Sequence, residues 1–421
     1  MFTFLMLCCY LAAIFIRPHE IGNILSESKI IRTMIIITFI SWVIFQKEKA
    51  FTIQIKVLFA FCGAIAISSV TNGWAGGAVS LLISFIPAAV LPMLMCSNII
   101  NTHKRQLVVM FICLIAAMLM IHNGYSQHLH PDGLGWAGTK SVENGRITYM
   151  GIFNDPNDLG MFLVMTLPFA FYFKKHGGGL LKIVSIAMIV AIFYGVVLTN
   201  SRGSLLGLLT LASFYVFLKK GIKKTALIAL VVTPFAVAIM SFFRTIEQGE
   251  SAQGRVDAWY QGFLMFFSNP FLGVGQGNFT EYNSHTAHNS YVLVLGELGF
   301  VGYTLWLVIL SLCVVSLYRA VKWFDNHEAK NELSAAIINE ISINRALLFS
   351  FVGFMSTAFF LSRSYTILFF IFCGMAIACN QRTIKLIPEL TVTSHRKLIN
   401  KIIKLSVVSI VVLYVIVKIL L

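Results

Sequence analysis

Of the 421 residues, 58% are hydrophobic and only 12% are charged, and the formal net charge at pH 7 is +15. Apolar stretches recur along the whole chain, which excludes a soluble globular enzyme and marks a polytopic membrane protein. The basic residues are spread over short loops between these stretches, so the positive charge reads as membrane topology and not as a nucleic-acid footprint.

The apolar runs are continuous and lack ten-residue alternation, which predicts helices and excludes a β-barrel. In chain order the expected spans are 1–16, 30–45, 51–70, 76–96, 106–122, 151–173, 180–199, 203–218, 225–243, 290–318, 345–361, 364–380 and 404–421. The fold class is therefore an all-α polytopic membrane protein with 12–13 transmembrane helices, read as one integral domain over 1–421 because no internal repeat is visible. The first run has no basic residue before it and no small-residue cleavage pattern after it, and is expected to be a retained span. Either it or the last run also fits an interfacial helix. The eight cysteines lie inside the runs or at their ends without CxxC spacing, and read as packing or lipid-facing residues.

A cytoplasmic N-terminus places Lys47/Lys49, Lys104/Arg105, Lys174/Lys175/Lys182, Lys219/Lys220/Lys223/Lys224, Arg319/Lys322/Lys330 and the Arg382 to Lys404 segment all inside. The long polar segments 123–150 and 244–289 then face outward, toward the periplasm in a Gram-negative inner membrane.

Three outward stretches carry unexpected chemistry. In "LTNSRGSLLG", Arg202 sits in a tight turn between two spans; alone it reads equally well as an anchor for headgroup phosphates. In "GRVDAWYQGFLMFFSNPFLGVGQGNF", Val256, Trp259, Tyr260, Phe263, Phe266 and Phe267 recur at helical spacing, so an interfacial helix is expected to lie on the membrane with Arg255 at its start. The Gly-Val-Gly-Gln-Gly run that follows reads as a turn, since no strand precedes it. In "TAHNSYVLVLGELGFVGYTLW", His288 marks a helix mouth. Gly299 and Gly302 are expected to let a neighbouring helix pack closely. His285 and His288 lack a third ligand to complete a metal site. Glu297 lies inside the span and requires a partner. In "FNDPNDLG", Asp155 is expected to cap a helix with Pro156 at its first position and Asp158 in its first turn, and both aspartates are secondary candidates for substrate contact.

The spacing His288-Asn289, nine residues, Gly299, two residues, Gly302 resembles the pattern shared by O-antigen ligases and bacterial protein O-oligosaccharyltransferases. The "GRVDAW...NPFLGVGQGNF" stretch is similar to the wider O-antigen ligase and polymerase superfamily. This resemblance implies a GT-C-like glycosyltransferase with a lipid-linked donor at the periplasmic face. The donor would be a glycan on undecaprenyl diphosphate, and the acceptor a hydroxyl such as that of lipid A-core. The family's two functional arginines and one histidine fall on Arg202, Arg255 and His288, with Asn289, Gly299 and Gly302 completing the motif. No cofactor or metal is implied. The 404–421 run departs from the twelve-span family pattern as an extra C-terminal span. O-antigen polymerases and protein O-oligosaccharyltransferases are the near alternatives. A lipid-linked sugar transporter and an envelope scaffold come from other classes, though transporters tend to show repeats and midplane ionisable groups.

Overall fold

A computed structural model describes residues 1–21, 29–244, 252–328, 332–392 and 394–421, with the backbone alone for 227–244 and 252. The start of the long loop, 245–251, and Lys330 of the basic clusters lie outside the described residues. The helices are α1 (Phe2–Phe15), α2 (Lys29–Phe45), α3 (Ile53–Thr71), α4 (Ala75–Ile99), α5 (His103–Leu129), α6 (Pro156–His176), α7 (Gly179–Thr199), α8 (Arg202–Arg244), α9 (Ala252–Ser268), α10 (Ser290–Asn326), α11 (Ala335–Thr357), α12 (Ile367–Leu386) and α13 (His395–Leu420). Among the described residues there is no sheet, only two isolated bridges in the α5–α6 loop.

Nine helices of the described residues are long and apolar enough to cross a membrane. The difference from the expected 12–13 has particular causes. Helix α1 has 14 residues, which at ~1.5 Å per residue falls short of a ~30 Å hydrocarbon core. Helix α2 is short for the same reason, at 17 residues. Helix α6 is long enough at 21 residues, but it is enclosed by α5, α7, α8 and α11 and needs no uniformly apolar surface. The expected spans 203–218 and 225–243 both fall in α8, which breaks at Gly221 (φ 76°, ψ 175°). Helix α4 carries a π-helical turn, Ile86–Val90, beside Pro87 and Pro92, where missing N–H groups disrupt the ladder.

Close packing around α6 rests on small residues. A Cβ at Gly207 of α8 would lie 3.0 Å from Thr357 and 3.1 Å from Val164, and one at Gly353 of α11 would lie 2.9 Å from Val164. These glycines draw α6, α8 and α11 together in the absence of any hydrophobic drive between helices in lipid. At the end carrying the lysine clusters, a buried ionic knot joins α4, α5, α11 and α12. Arg382 Nε donates to Glu340 Oε1 at 2.8 Å, Nη1 to the Ile100 carbonyl at 2.5 Å and Nη2 to Gln106 at 3.2 Å. His103 stands 3.5 Å from the same carboxylate.

Helix α10 is broken at Gly299 (φ 60°, ψ −160°). The loop after α9 enters the break and replaces the lost helical bonds. Val274 N donates to Gly296 O at 3.1 Å, Gly275 N to Glu297 O at 2.8 Å, Phe300 N to Pro270 O at 2.8 Å and Val301 N to Phe271 O at 3.1 Å. From α3, Ser68 Oγ donates to Leu272 O at 2.6 Å and Asn72 Nδ2 to Gly273 O at 2.9 Å. Such closure is obligatory where water cannot reach the backbone.

The 404–421 run belongs to α13, which begins earlier than expected at His395. It packs on α10 through Tyr303–Ser409 at 3.0 Å and Thr304–Ser406 at 3.1 Å. Tyr414 meets Phe263 of α9, and Lys418 lies 4.3 Å from the Tyr260 ring. Helix α9 therefore has the expected apolar periodicity, but Val256, Trp259 and Phe263 are buried against protein, with only its outer face left for a membrane surface.

Two consequences are measurable. Gly299→Ala should lower stability by about 1–3 kcal/mol from backbone strain alone, read as a fall in Tm in detergent, whereas Gly63→Ala in the open middle of α3 should hold or raise it. Arg382→Ala should lose about 3–5 kcal/mol by stranding Glu340, and the double replacement R382M/E340M should recover most of that loss; equal Tm for the single and double variants would contradict the stranded-charge account.

Candidate functional site

Helix α7 ends with Asn200 in the left-handed conformation (φ 46°). This turns the chain within two residues, and Ser201 Oγ then accepts the Ser204 N–H at 3.3 Å, capping α8. Arg202 thus occupies the first position of α8, where the positive end of the helix dipole adds to its charge. Arg255 stands near the start of α9, with its Nε buried and without a hydrogen-bond partner among the described residues. The two guanidinium-bearing residues line one small cleft with Asn157, Ser201, Ser204, Phe360 and Leu361. The structure therefore brings together the two arginines singled out in the sequence, one at the start of α8 and the other near the start of α9.

His288 adopts a left-handed backbone (φ 44°), an uncommon conformation for a residue with a Cβ. It is held there from both sides. Thr286 Oγ1 bonds Ser362 Oγ at 3.0 Å, and Ser290 Oγ donates to Leu361 O at 2.5 Å. Leu361 is part of the arginine cleft, so the half-buried His288 stands on a strip laced to that cleft's wall. Asn289 caps α10, its Oδ1 accepting from Tyr291 N at 2.9 Å and Val292 N at 3.1 Å.

The structure corrects the reading of Asn289, Gly299 and Gly302 as a helix-packing motif. Asn289 is a cap. A Cβ on Gly299 would lie 2.5 Å from the Phe271 carbonyl carbon, so this glycine admits a loop and not a helix. A Cβ on Gly302 would meet Leu298 of its own helix at 2.2 Å. The glycines that bring a neighbouring helix close are Gly262 and Gly296: a Cβ at Gly296 would lie 3.2 Å from the Gly262 carbonyl oxygen. His288, with its left-handed backbone, lies before the start of α10, so it and Gly299 do not share one continuous helical face.

Asp155 caps α6 as expected, accepting from Asn157 N at 2.7 Å, with Pro156 first and Asp158 in the first turn. Both Asp158 oxygens are taken by Arg363 Nε and Nη2 in a forked pair. Asp158 therefore serves an arginine, with both oxygens engaged by it. Glu297, 3% exposed, accepts the Gly277 N–H at 3.0 Å and helps seat the glycine-rich turn. Neither carboxylate lines the arginine cleft.

Arg363 escaped the sequence reading. It lies in the short 361–366 connection, and its N–H donates to Ser290 Oγ at 2.9 Å, so it adjoins the mouth of α10. Its charge is partly buried, which works against ionisation, but the Asp158 bonds outweigh that and hold its pKa above the ordinary value. The signal for it was "LSRSYT", an arginine between two spans at the same end as Arg202. Arg146 was missed likewise: its Nη2 donates to Asn157 Oδ1 at 3.1 Å and its Nε to Thr199 O at 3.1 Å, bracing the cleft from behind.

A family model described as O-Antigen ligase matches residues 187–307, from α7 through the break in α10. The teichuronic acid biosynthesis protein TuaE of Bacillus subtilis (strain 168) is 25% identical over 272 residues, covering 56% of this chain and 54% of that protein. The chain thus spans about half the length of the curated relative it matches. The matched residues contain Arg202, Arg255, His288 and the break in α10, and over this stretch the chain is similar to the O-antigen ligase and polymerase superfamily.

Proposed function

We propose that the chain is a membrane glycosyltransferase that moves a glycan from undecaprenyl diphosphate to an acceptor hydroxyl at the arginine cleft. The observation that supports this most is the convergence of Arg202 and Arg255 on one cleft beside the His288 strip. Rupture of the sugar C1–O bond leaves a diphosphate whose negative charge grows through the transition state. Two forked, permanently charged guanidinium groups at a helix N-terminus stabilise that charge.

The acceptor hydroxyl forms the new bond to C1 while its proton passes to a ring nitrogen of His288, acting as general base. Attack opposite the leaving diphosphate inverts the anomeric centre without a covalent enzyme intermediate. In this reading the arginines supply the positive charge otherwise provided by a divalent cation. Activity in the presence of a chelator is the expected outcome. Arg363, fixed by Asp158, keeps the 361–366 connection and hence the His288 strip in register.

The preferred acceptor is lipid A-core, with the cleft opening toward the periplasm of an inner membrane. The polymerase reading, in which a second lipid-linked unit accepts, stands beside it because the relative is named for teichuronic acid biosynthesis and not for ligation. A Ser or Thr hydroxyl of a protein is a further acceptor of the same chemistry.

Deleting the gene, then sizing the surface glycan and the glycan stranded on the lipid carrier, separates these readings. Long polymer on the carrier with bare core supports the ligase; single units with no long polymer support the polymerase. An unchanged pattern counts against both. In purified protein, Arg202→Ala or Arg255→Ala should lower turnover by about 10²–10³-fold and His288→Ala by about 10²–10⁴-fold, with Tm preserved. Arg363→Lys, which retains charge but loses the fork, should lower stability by about 1–2 kcal/mol and turnover by roughly tenfold. Full turnover in R363K would show that the ion pair is structural only.

A further inference from the structure

Away from the arginine cleft, the same three helices that pack tightly at Gly207 and Gly353 separate. Helices α7 and α8 touch little after the turn that joins them, whereas α7 lies along α6 and α8 lies along α11. The result is a crevice of about 620 Å³ between α6, α8 and α11, with Phe193 of α7 at its edge. Its α8 wall runs from Leu208 to Val216, roughly 9–21 Å along the helix from Arg202 at ~1.5 Å per residue. A volume of this size falls in the ~300–1,000 Å³ range of ligand pockets. The walls are mainly apolar, including Leu211 and Phe349, and offer nothing to hold a glycan.

Polar groups gather at one end of the crevice. Lys175 and His176, from the last turn of α6, line it with Arg345 of α11. Arg345 Nη2 is held by Asp325 at 2.6 Å, but Arg345 Nε and His176 Nε2 are buried without a hydrogen-bond partner among the described residues. Unsatisfied buried donors beside a cation are unfavourable unless a ligand supplies acceptor oxygens. These groups sit at the lysine-rich end of the bundle, the end opposite Arg202, so they are not the seat of the donor's diphosphate.

We propose that this crevice binds one anionic glycerophospholipid, with an acyl chain between α6, α8 and α11 and its phosphate against Lys175, His176 and Arg345. The apolar length takes the chain out of contact with other lipids and fills the gap left where the glycines end. The phosphate oxygens accept from the orphaned nitrogens. Lys175 and Arg345 favour a headgroup of net negative charge over a zwitterionic one.

The test is native mass spectrometry of the purified chain released from nanodiscs containing equal amounts of dioleoylphosphatidylglycerol and dioleoylphosphatidylcholine. The expected result is retention of phosphatidylglycerol in preference to phosphatidylcholine. K175A/H176A should weaken that retention about tenfold, and Ala212→Phe, which fills the crevice, should abolish it. The double variant changes an exposed lysine and a half-buried histidine at a helix end, so it tests the headgroup site even if A212F does not fold. Equal retention of both lipids, or equal phosphatidylglycerol retention in wild type and K175A/H176A, would overturn the proposal. So would A212F displacing an undecaprenyl-diphosphate glycan while phosphatidylglycerol stays bound, since the crevice would then belong to the donor's tail.

Discussion

A helix cannot be interrupted inside a membrane protein unless something else satisfies the peptide groups it releases. At Gly299 that role falls to the 270–275 loop, whose backbone donors and acceptors meet those of residues 296–301 one for one. The fit demands glycine on both sides: a Cβ at Gly273 would lie 2.3 Å from the Glu297 carbonyl carbon, and Gly299 has the reciprocal conflict with Phe271. The break is thus a joint between two distant segments. It fixes the upper half of α10, the end of α9 and the end of α3 as one body.

The candidate site inherits its geometry from that body. Helix α9 carries Arg255 at one end and leads into the joint at the other, while the upper half of α10 begins at the His288 strip. Arg202 comes from a separate unit, α6, α8 and α11, whose close approach depends on Gly207 and Gly353. The 361–366 connection ties the units: Ser290 bonds Leu361 and Arg363, and Arg363 grips Asp158 of α6. Positive charge is concentrated where these pieces meet, and Asp155 and Asp158 of the adjoining helix start are engaged by a cap and an ion pair. The cleft therefore retains a field suited to an anionic group.

Hydrophobic runs revealed nearly every helix, because a bilayer-facing segment must be continuously apolar whatever it packs against. Which helices are long enough to cross was harder to read, since α1 stops after 14 residues and α6 is shielded by its neighbours. Arg202 and His288 stood out as polar groups at span ends and Arg255 at the start of an interfacial helix, and the structure places the two arginines together. The roles of the glycines were not legible. Gly299 and Gly302 have the spacing of a helix-packing pair, yet the close helix crossing uses Gly262 and Gly296, because a positive φ leaves no trace in a residue's spacing. Arg363 was overlooked for a related reason: its partner Asp158 is remote in sequence, and Asp158 read locally as a first-turn acidic residue.

The last helix has a bearing on how the molecule comes into being. Helix α13 closes over α9 through Tyr414 and Lys418 and over α10 through Ser406 and Ser409, so the helix that carries Arg255 is covered on one side by residues translated more than a hundred positions later. During membrane insertion α9 emerges early, with Phe263 lacking its final cover until α13 arrives. The final seating of α9 is then a late event in biogenesis, and a ribosome-bound chain cut short before α13 would carry Arg255 on a helix held chiefly by α10.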